Sequence, residues 1–152
     1  MRIALVSGNR EKLPDPTIPI GILSVMANIP KRHETVLIDL CFEGEPLASL
    51  SEQIKSFSPD LVGVGMRNLQ SADYSDTTRS IRHYEQILET IRRGTTAPIV
   101  LGGSGFSVMP SALMSRLRPD FGISGEGELA FSALIQALEE GEDLDTIGNL
   151  YR

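Results

Sequence analysis

Val100-Leu-Gly-Gly-Ser-Gly-Phe-Ser-Val-Met-Pro110 joins a short apolar run to a helical pattern through Gly102, Gly103 and Gly105. Ser124-Gly-Glu-Gly-Glu128 repeats the arrangement, with an apolar run before it and a helical pattern after it. Both stretches read as glycine-rich turns at strand ends. Without side chains there, a ligand can approach the main chain closely. The glycines also open backbone angles that other residues reach only with strain. The rest of the chain reads as a scaffold holding these turns on one edge of a sheet.

Working outward, the spacing predicts strands at Arg2–Val6, Thr35–Asp39, Asp60–Gly65, Ala97–Leu101 and Asp120–Ser124, each a short apolar run bounded by turn residues. Helical periodicity fills the gaps. One helix opens at Pro19 and runs to Asn28, with proline in the first turn where its missing N–H does no harm. A second opens at Pro46 with Leu47, Leu50, Ile54 and Phe57 inward. A third carries Ile81, Tyr84, Leu88 and Ile91 on one face, and Gly94 is expected to end it in a left-handed turn. A short helix follows over Pro110–Leu117, and the last covers Glu128–Glu140 with Gly141 as its stop. Strand–helix alternation with short links implies a parallel sheet with right-handed crossovers. The expected fold is α/β, a doubly wound, flavodoxin-like five-stranded parallel sheet in the order 2-1-3-4-5 with helices on both faces. Residues 1–141 form the domain, and 142–152 read as the start of a linker or a next strand leading to something longer.

Composition limits the partners. The chain has 152 residues, 41% hydrophobic and 22% charged, which suits one globular domain. A net charge of -6 with no basic cluster argues against nucleic acid, whose phosphates need a basic patch. No run of about 18 apolar residues marks a membrane span, and no leader pattern is present, so a cytoplasmic location is expected. The single cysteine, Cys41, excludes internal disulfides and any multi-cysteine metal or iron–sulfur site within these residues. Cys41 itself reads as a small packing residue.

Ligands of such sheets bind at the carboxyl ends of the strands. The loops meeting there are Ser7–Thr17, Met66–Thr77, Gly102–Met109 and Ser124–Gly127, two glycine-rich and two long and polar. They describe a broad site for a large flat ligand. The residues assigned to it are Ser7, Gly8 and Asn9; Met66, Arg67, Asn68 and Leu69; Gly102, Gly103, Ser104, Gly105, Phe106 and Ser107; and Gly125, Glu126 and Gly127. None reads as catalytic and none as a metal ligand. Familiar phosphate sites fail on specific residues. No lysine accompanies either glycine turn as a Walker loop requires, and Ser7-Gly-Asn-Arg10 lacks the dinucleotide spacing. The third strand ends in Gly65-Met-Arg67 where a phosphoacceptor receiver would have an aspartate.

Gly102-Gly103 with Pro110, then Gly125-Glu-Gly-Glu128, together with Pro19-Ile-Gly21 and Pro59-Asp-Leu-Val-Gly63, resemble the N-terminal cobalamin-binding domain of class B radical SAM enzymes over nearly the whole chain. In that family the domain holds cobalamin over a (β/α) barrel carrying S-adenosylmethionine and a [4Fe-4S] cluster on CxxxCxxC. The resemblance implies cofactor binding here. S-adenosylmethionine and the cluster are expected only in a barrel outside these residues, which would carry methyl transfer or ring formation. The chain departs from the cobalamin domains of mutases, because it has no D-x-H-x-x-G after the first strand. His33 reads as a surface residue and His83 as a helix residue away from the ligand, which implies base-off cobalamin with no histidine on cobalt. The resemblance places Arg67 beneath the corrin, unless it pairs with Asp73 or Asp76. It also lays the cofactor tail along Gly102–Ser107, with Ser104 and Ser107 as hydroxyl partners and Glu126 accepting from amide groups. Tyr74 would stack on the cofactor edge or cover the mouth, and Glu128 would serve the helix terminus. Two other readings stay open: a scaffold domain of this fold that binds no cofactor, and a stand-alone flavin- or nucleotide-binding protein.

Overall fold

Alternation along the strands sorts the core onto two faces, as a two-residue period requires. In β1 (Arg2–Ser7), Ala4 and Val6 join one buried cluster, while Ile3 and Leu5 join the other. The computed structural model describes residues 1–12, 15–67 and 77–152. The remaining strands are β2 (Glu34–Asp39), β3 (Leu61–Gly65), β4 (Ile99–Gly102), β5 (Phe121–Ile123) and β6 (Leu150–Tyr151). They lie in the order β2-β1-β3-β4-β5-β6. The first five are parallel, in the expected flavodoxin-like order. The sixth is an addition to the expected five-stranded sheet: β6 runs antiparallel along β5, with Leu150 opposite Ile123. It falls in 142–152, read from sequence as the start of a linker or a next strand, and its two residues carry no apolar run that would decide between them.

Helices α2 (Pro46–Phe57), α3 (Thr77–Gly94) and α5 (Pro110–Leu117) cover the Ala4–Val6 face through Leu50, Ile54, Ile87, Leu88, Ile91, Leu113 and Leu117. Helices α1 (Ile20–Asn28) and α6 (Glu128–Glu140) cover the other. The inward stripe of α6 is Phe131, Leu134 and Ile135, at helical spacing. Gly141, with φ 69°, ends α6 in the left-handed turn expected of it. Gly94 does not do the same for α3. A Cβ there would come within 2.9 Å of Ile54 Cγ2, so the glycine lets α3 press against α2.

Ser104–Val108 forms one helical turn, α4, where the glycine content reads as loop. Among the described residues no helix is long and apolar enough to cross a membrane, and no cluster of His, Cys, Asp and Glu is placed to hold a metal ion. Cys41 is buried, and burial pushes its thiol up, in keeping with a packing role.

Candidate functional site

Ser7, Gly65, Gly102 and Ile123 stand side by side across β1, β3, β4 and β5 in the parallel register. The row beneath contains Leu5, Gly63 and Val100. Strand parity turns both rows toward α1 and α6, since Leu5, Val100 and Ile123 belong to that cluster. At its centre, Gly65 and Gly102, the upper row is therefore bare of side chains where the strands end. Above it, α1 has no buried residue, and its inward Ile22 and Val25 are only half-buried. Between helix and sheet runs a cleft of about 430 Å³, a size typical of small-molecule sites. Its deep arm is apolar, built from Leu5, Val100, Ile123 and Phe131 with Ile22 and Val25 opposite. Asn9, Arg67, Ser104, Glu126 and Glu128 supply polar groups to the lining.

Of the residues assigned from sequence, Ser7, Asn9, Met66, Arg67, Gly102, Gly103, Ser104, Gly125, Glu126 and Gly127 border this cleft. Met66 does so although its side chain is buried against Gly105 on the opposite face. Gly8, Gly105, Phe106 and Ser107 are not brought into the lining. Gly8 is covered by the Tyr84 ring, with room for no Cβ: one would fall 2.4 Å from Cε1. Phe106 is fully buried in the α3–α5 cluster, so its assignment to the ligand is corrected. Its ring fills the notch left by Gly122. Ser107 acts between loops: its Oγ donates to the Gly103 carbonyl at 3.0 Å and accepts from Gly125 N–H at 2.8 Å. Asn68, Leu69, Asp73, Tyr74 and Asp76 lie outside the described residues.

The glycines of Val100–Pro110 also do something other than bare a ledge for a ligand. Gly103 has φ 98°, and a Cβ on it would lie 2.6 Å from the Met66 carbonyl oxygen. Gly105 N–H donates to that same oxygen at 2.9 Å, and Met66 N–H donates to the Gly102 carbonyl at 2.7 Å. Ser104 Oγ donates to the Arg67 carbonyl at 2.6 Å. The β4–α4 turn thus grips the start of the loop that carries Arg67, backbone against backbone. What sequence reasoning missed is the deep arm. Gly63 and Gly65, two apart in one strand, put two bare positions on the same face, and that was the available signal.

Both histidines serve structure. His83 is buried and its Nε2 donates to the Gly8 carbonyl at 2.8 Å, tying α3 to the β1 loop across 75 residues. Tyr84, beside it, is almost fully buried, which raises its hydroxyl to about 12, against a hydrogen bond from the Arg67 backbone. His33 is buried, not on the surface as expected from sequence. The Met1 ammonium donates to its Nδ1 at 3.1 Å. The Glu139 carboxylate, bound by Arg32 at 2.9 Å, stands 3.6 Å from the same nitrogen. Burial pushes both imidazoles below the ordinary 6.5, at His33 against the pull of Glu139.

As pH falls, the unfolded chain therefore takes up these protons first. The contribution to stability is complete above about 6.5 and is lost as pH drops through that value. Glu128 and Glu139, held below the ordinary 4.5 chiefly by hydrogen bonds from Ser24 and Arg32 respectively, add a loss only at lower pH. The urea midpoint should fall between about pH 7.5 and about pH 5.5, with a shallower slope in His83→Gln. A midpoint flat over that range would contradict the assignment of buried neutral histidines.

Glu128 sits in the first turn of α6 and accepts from Ser24 Oγ at 2.7 Å, the helix-terminal role expected of it. Asn9 is different. Its Oδ1 accepts from Glu11 N–H, but its Nδ2 is buried with no partner among the described residues. A buried donor left unsatisfied costs about 1–3 kcal/mol, and this one borders the cleft.

Comparison with known proteins converges on one family. A sequence model described as the B12 binding domain matches residues 6–135. The chain is 30% identical over 146 residues to tryptophan 2-C-methyltransferase of Streptomyces laurentii, covering 95% of this chain and 24% of that protein. It superposes on the radical S-adenosylmethionine methyltransferase TsrM from Kitasatospora setae, solved with cobalamin and a [4Fe-4S] cluster bound. That match has a TM-score of 0.86 at 31% identity, over 99% of this chain and 27% of the other. The cobalamin-dependent S-adenosylmethionine radical enzyme OxsB with aqua-cobalamin bound shares the fold, with a TM-score of 0.77 at 20% identity over 98% of this chain and 20% of the other. The chain thus spans about a quarter of the length of the methyltransferases it resembles.

Proposed function

The chain belongs to the B12-binding domain family, and on that premise we propose that it holds base-off cobalamin, with no histidine on cobalt, for a larger radical S-adenosylmethionine enzyme. The observation that carries this reading is the deep cleft over the Ser7–Gly65–Gly102 row. A flat macrocycle with a long tail needs a bare ledge at the strand ends and an apolar arm behind it, and both are present. The polar groups suit it as well. Glu126 and Glu128 offer acceptors to the neutral amide groups of the corrin rim and tail. Asn9 Nδ2 is a buried donor waiting for an acceptor. Arg67 brings a cation to the β3 end of the cleft.

Two further observations support the finer points. The chain has only two histidines. One is committed to the Gly8 carbonyl and the other is buried beside Met1, so neither is offered to cobalt. A flavin or nucleotide phosphate would favour the N-terminus of α6, but the Glu128 carboxylate already occupies that turn and is held ionised. When bound, cobalamin supplies a cobalt centre able to carry a methyl group, for methyl transfer or ring-forming chemistry. The chain's own residues bind and orient it; S-adenosylmethionine and the iron–sulfur cluster belong to a barrel outside these residues. Ile18 and Ile20 at the cleft, and Leu129 in α6, 80% exposed, are apolar surface such a barrel would cover.

Titration of the purified domain with hydroxocobalamin, followed by visible absorbance, should show saturable binding. Arg67→Ala should weaken it and alter the bound spectrum. No spectral change with the wild-type chain would leave the scaffold reading in possession. Unchanged affinity and spectrum in Arg67→Ala would remove Arg67 from beneath the corrin.

A further inference from the structure

The segment after α6 is engaged with the cleft. Asn149, just ahead of β6, donates from Nδ2 to two carbonyls, those of Ser124 and Glu126, each at 3.0 Å. Its own carbonyl accepts from Ser124 N–H at 3.1 Å. One amide thus spans the Ser124–Gly127 loop, three of whose residues, Gly125, Glu126 and Gly127, border the cleft. That loop has little to hold itself in place. Gly125 and Gly127 have no side chains, and a Cβ on Gly125 would meet nothing within 4 Å. From the other side Ser107 Oγ accepts the Gly125 N–H at 2.8 Å. The loop is therefore clamped between α4 and the C-terminal segment.

We propose that Asn149 is a positioning residue of the cofactor site, fixing the Gly125–Gly127 backbone so that Glu126 meets the ligand in one geometry. The ligand named is cobalamin, and that part rests on the function proposed above. Because Asn149 directly precedes β6, the cofactor loop and the docking of β6 are coupled. Ligand binding at the loop stabilises the docking of β6, and undocking β6 weakens ligand binding, by the same factor in each direction.

The test has two arms. In the first, hydrogen exchange is measured on the cofactor-free chain. Asn149→Ala should speed exchange at residues 124–127 and leave the amides of β1, β3 and β4 unchanged. Unchanged exchange at 124–127 overturns the clamp. So does a general loss of protection, because Asn149 would then be holding the sheet rather than the loop. In the second, hydroxocobalamin affinity is compared across variants. Asn149→Ala should weaken binding roughly tenfold, the scale of a lost neutral hydrogen bond or two. Asn149→Asp keeps the size but turns a carboxylate toward two carbonyl oxygens, so it should bind no better than the alanine variant. If the aspartate variant binds like wild type, the residue is packing and the proposal falls. A wild-type chain that takes up no cobalamin refutes the functional reading, while the exchange arm still decides the clamp.

Discussion

Gly65→Val should lower cobalamin affinity about a hundredfold or more, a loss of about 3 kcal/mol, while leaving the domain folded. Gly65 ends β3 in the centre of the bare row, between Ser7 and Gly102. A Cβ at this position would lie 3.2 Å from Ile22 Cδ1, the far end of a flexible and half-buried side chain. The strand can take that contact, since no left-handed angle is needed at Gly65 and valine suits a strand. The cleft cannot take it as easily, because the added methyl groups stand on its floor where the apolar arm begins. The measurements are a hydroxocobalamin titration and a urea melt of the same sample. Gly44→Ala, where a Cβ meets nothing within 4 Å, provides the neutral comparison. Wild-type affinity in Gly65→Val would mean that the ligand does not enter between α1 and the sheet.

The sheet and its helices were legible because their signals are local. Arg2–Ser7 and Leu61–Gly65 are short apolar runs between turn residues, and Leu50–Ile54 or Phe131–Ile135 keep helical spacing over enough residues to show a face. The glycine turns were legible as turns. Their geometry was not, because Gly103 and Gly105 are bare on account of Met66, 37 and 39 positions earlier in the chain. The deep arm was hidden for a related reason. Ser7, Gly65 and Gly102 form a row only once the parallel register is fixed, and no single stretch contains it. Gly63 and Gly65 alone held a hint of it. His83 and Asn149 escaped because each acts on a part of the chain far away in sequence, on Gly8 and on the Ser124–Gly127 loop. The glycine context misled at Phe106. By sequence Phe106 groups with the ligand because it lies in the Gly102–Ser107 stretch, but the helical turn of α4 carries it to the opposite face of the sheet.

That reversal makes a sharp prediction for Phe106. Phe106→Ala should destabilise the domain by about 3–5 kcal/mol, a large share of the roughly 5–15 kcal/mol that holds a typical domain folded. The side chain is fully buried. Its ring passes so close to Gly122 that a Cβ there would fall 2.3 Å from Cζ, with Met114 Sδ closing the same space at 2.8 Å. Tyr151 of β6 meets it edge to face, ring centroids 6.1 Å apart at 84°. Removing the ring opens a cavity bounded by β5 and β6 that backbone cannot collapse to fill. The cleft lies across the sheet, so hydroxocobalamin affinity of the folded fraction, measured at low temperature, should change little. A ligand-contacting Phe106 would give the opposite pair of results, intact stability and lost affinity. Phe106→Leu separates the two further, because it restores most of the volume. It should recover most of the stability if the role is packing, and little of the binding if the role is contact with the cofactor.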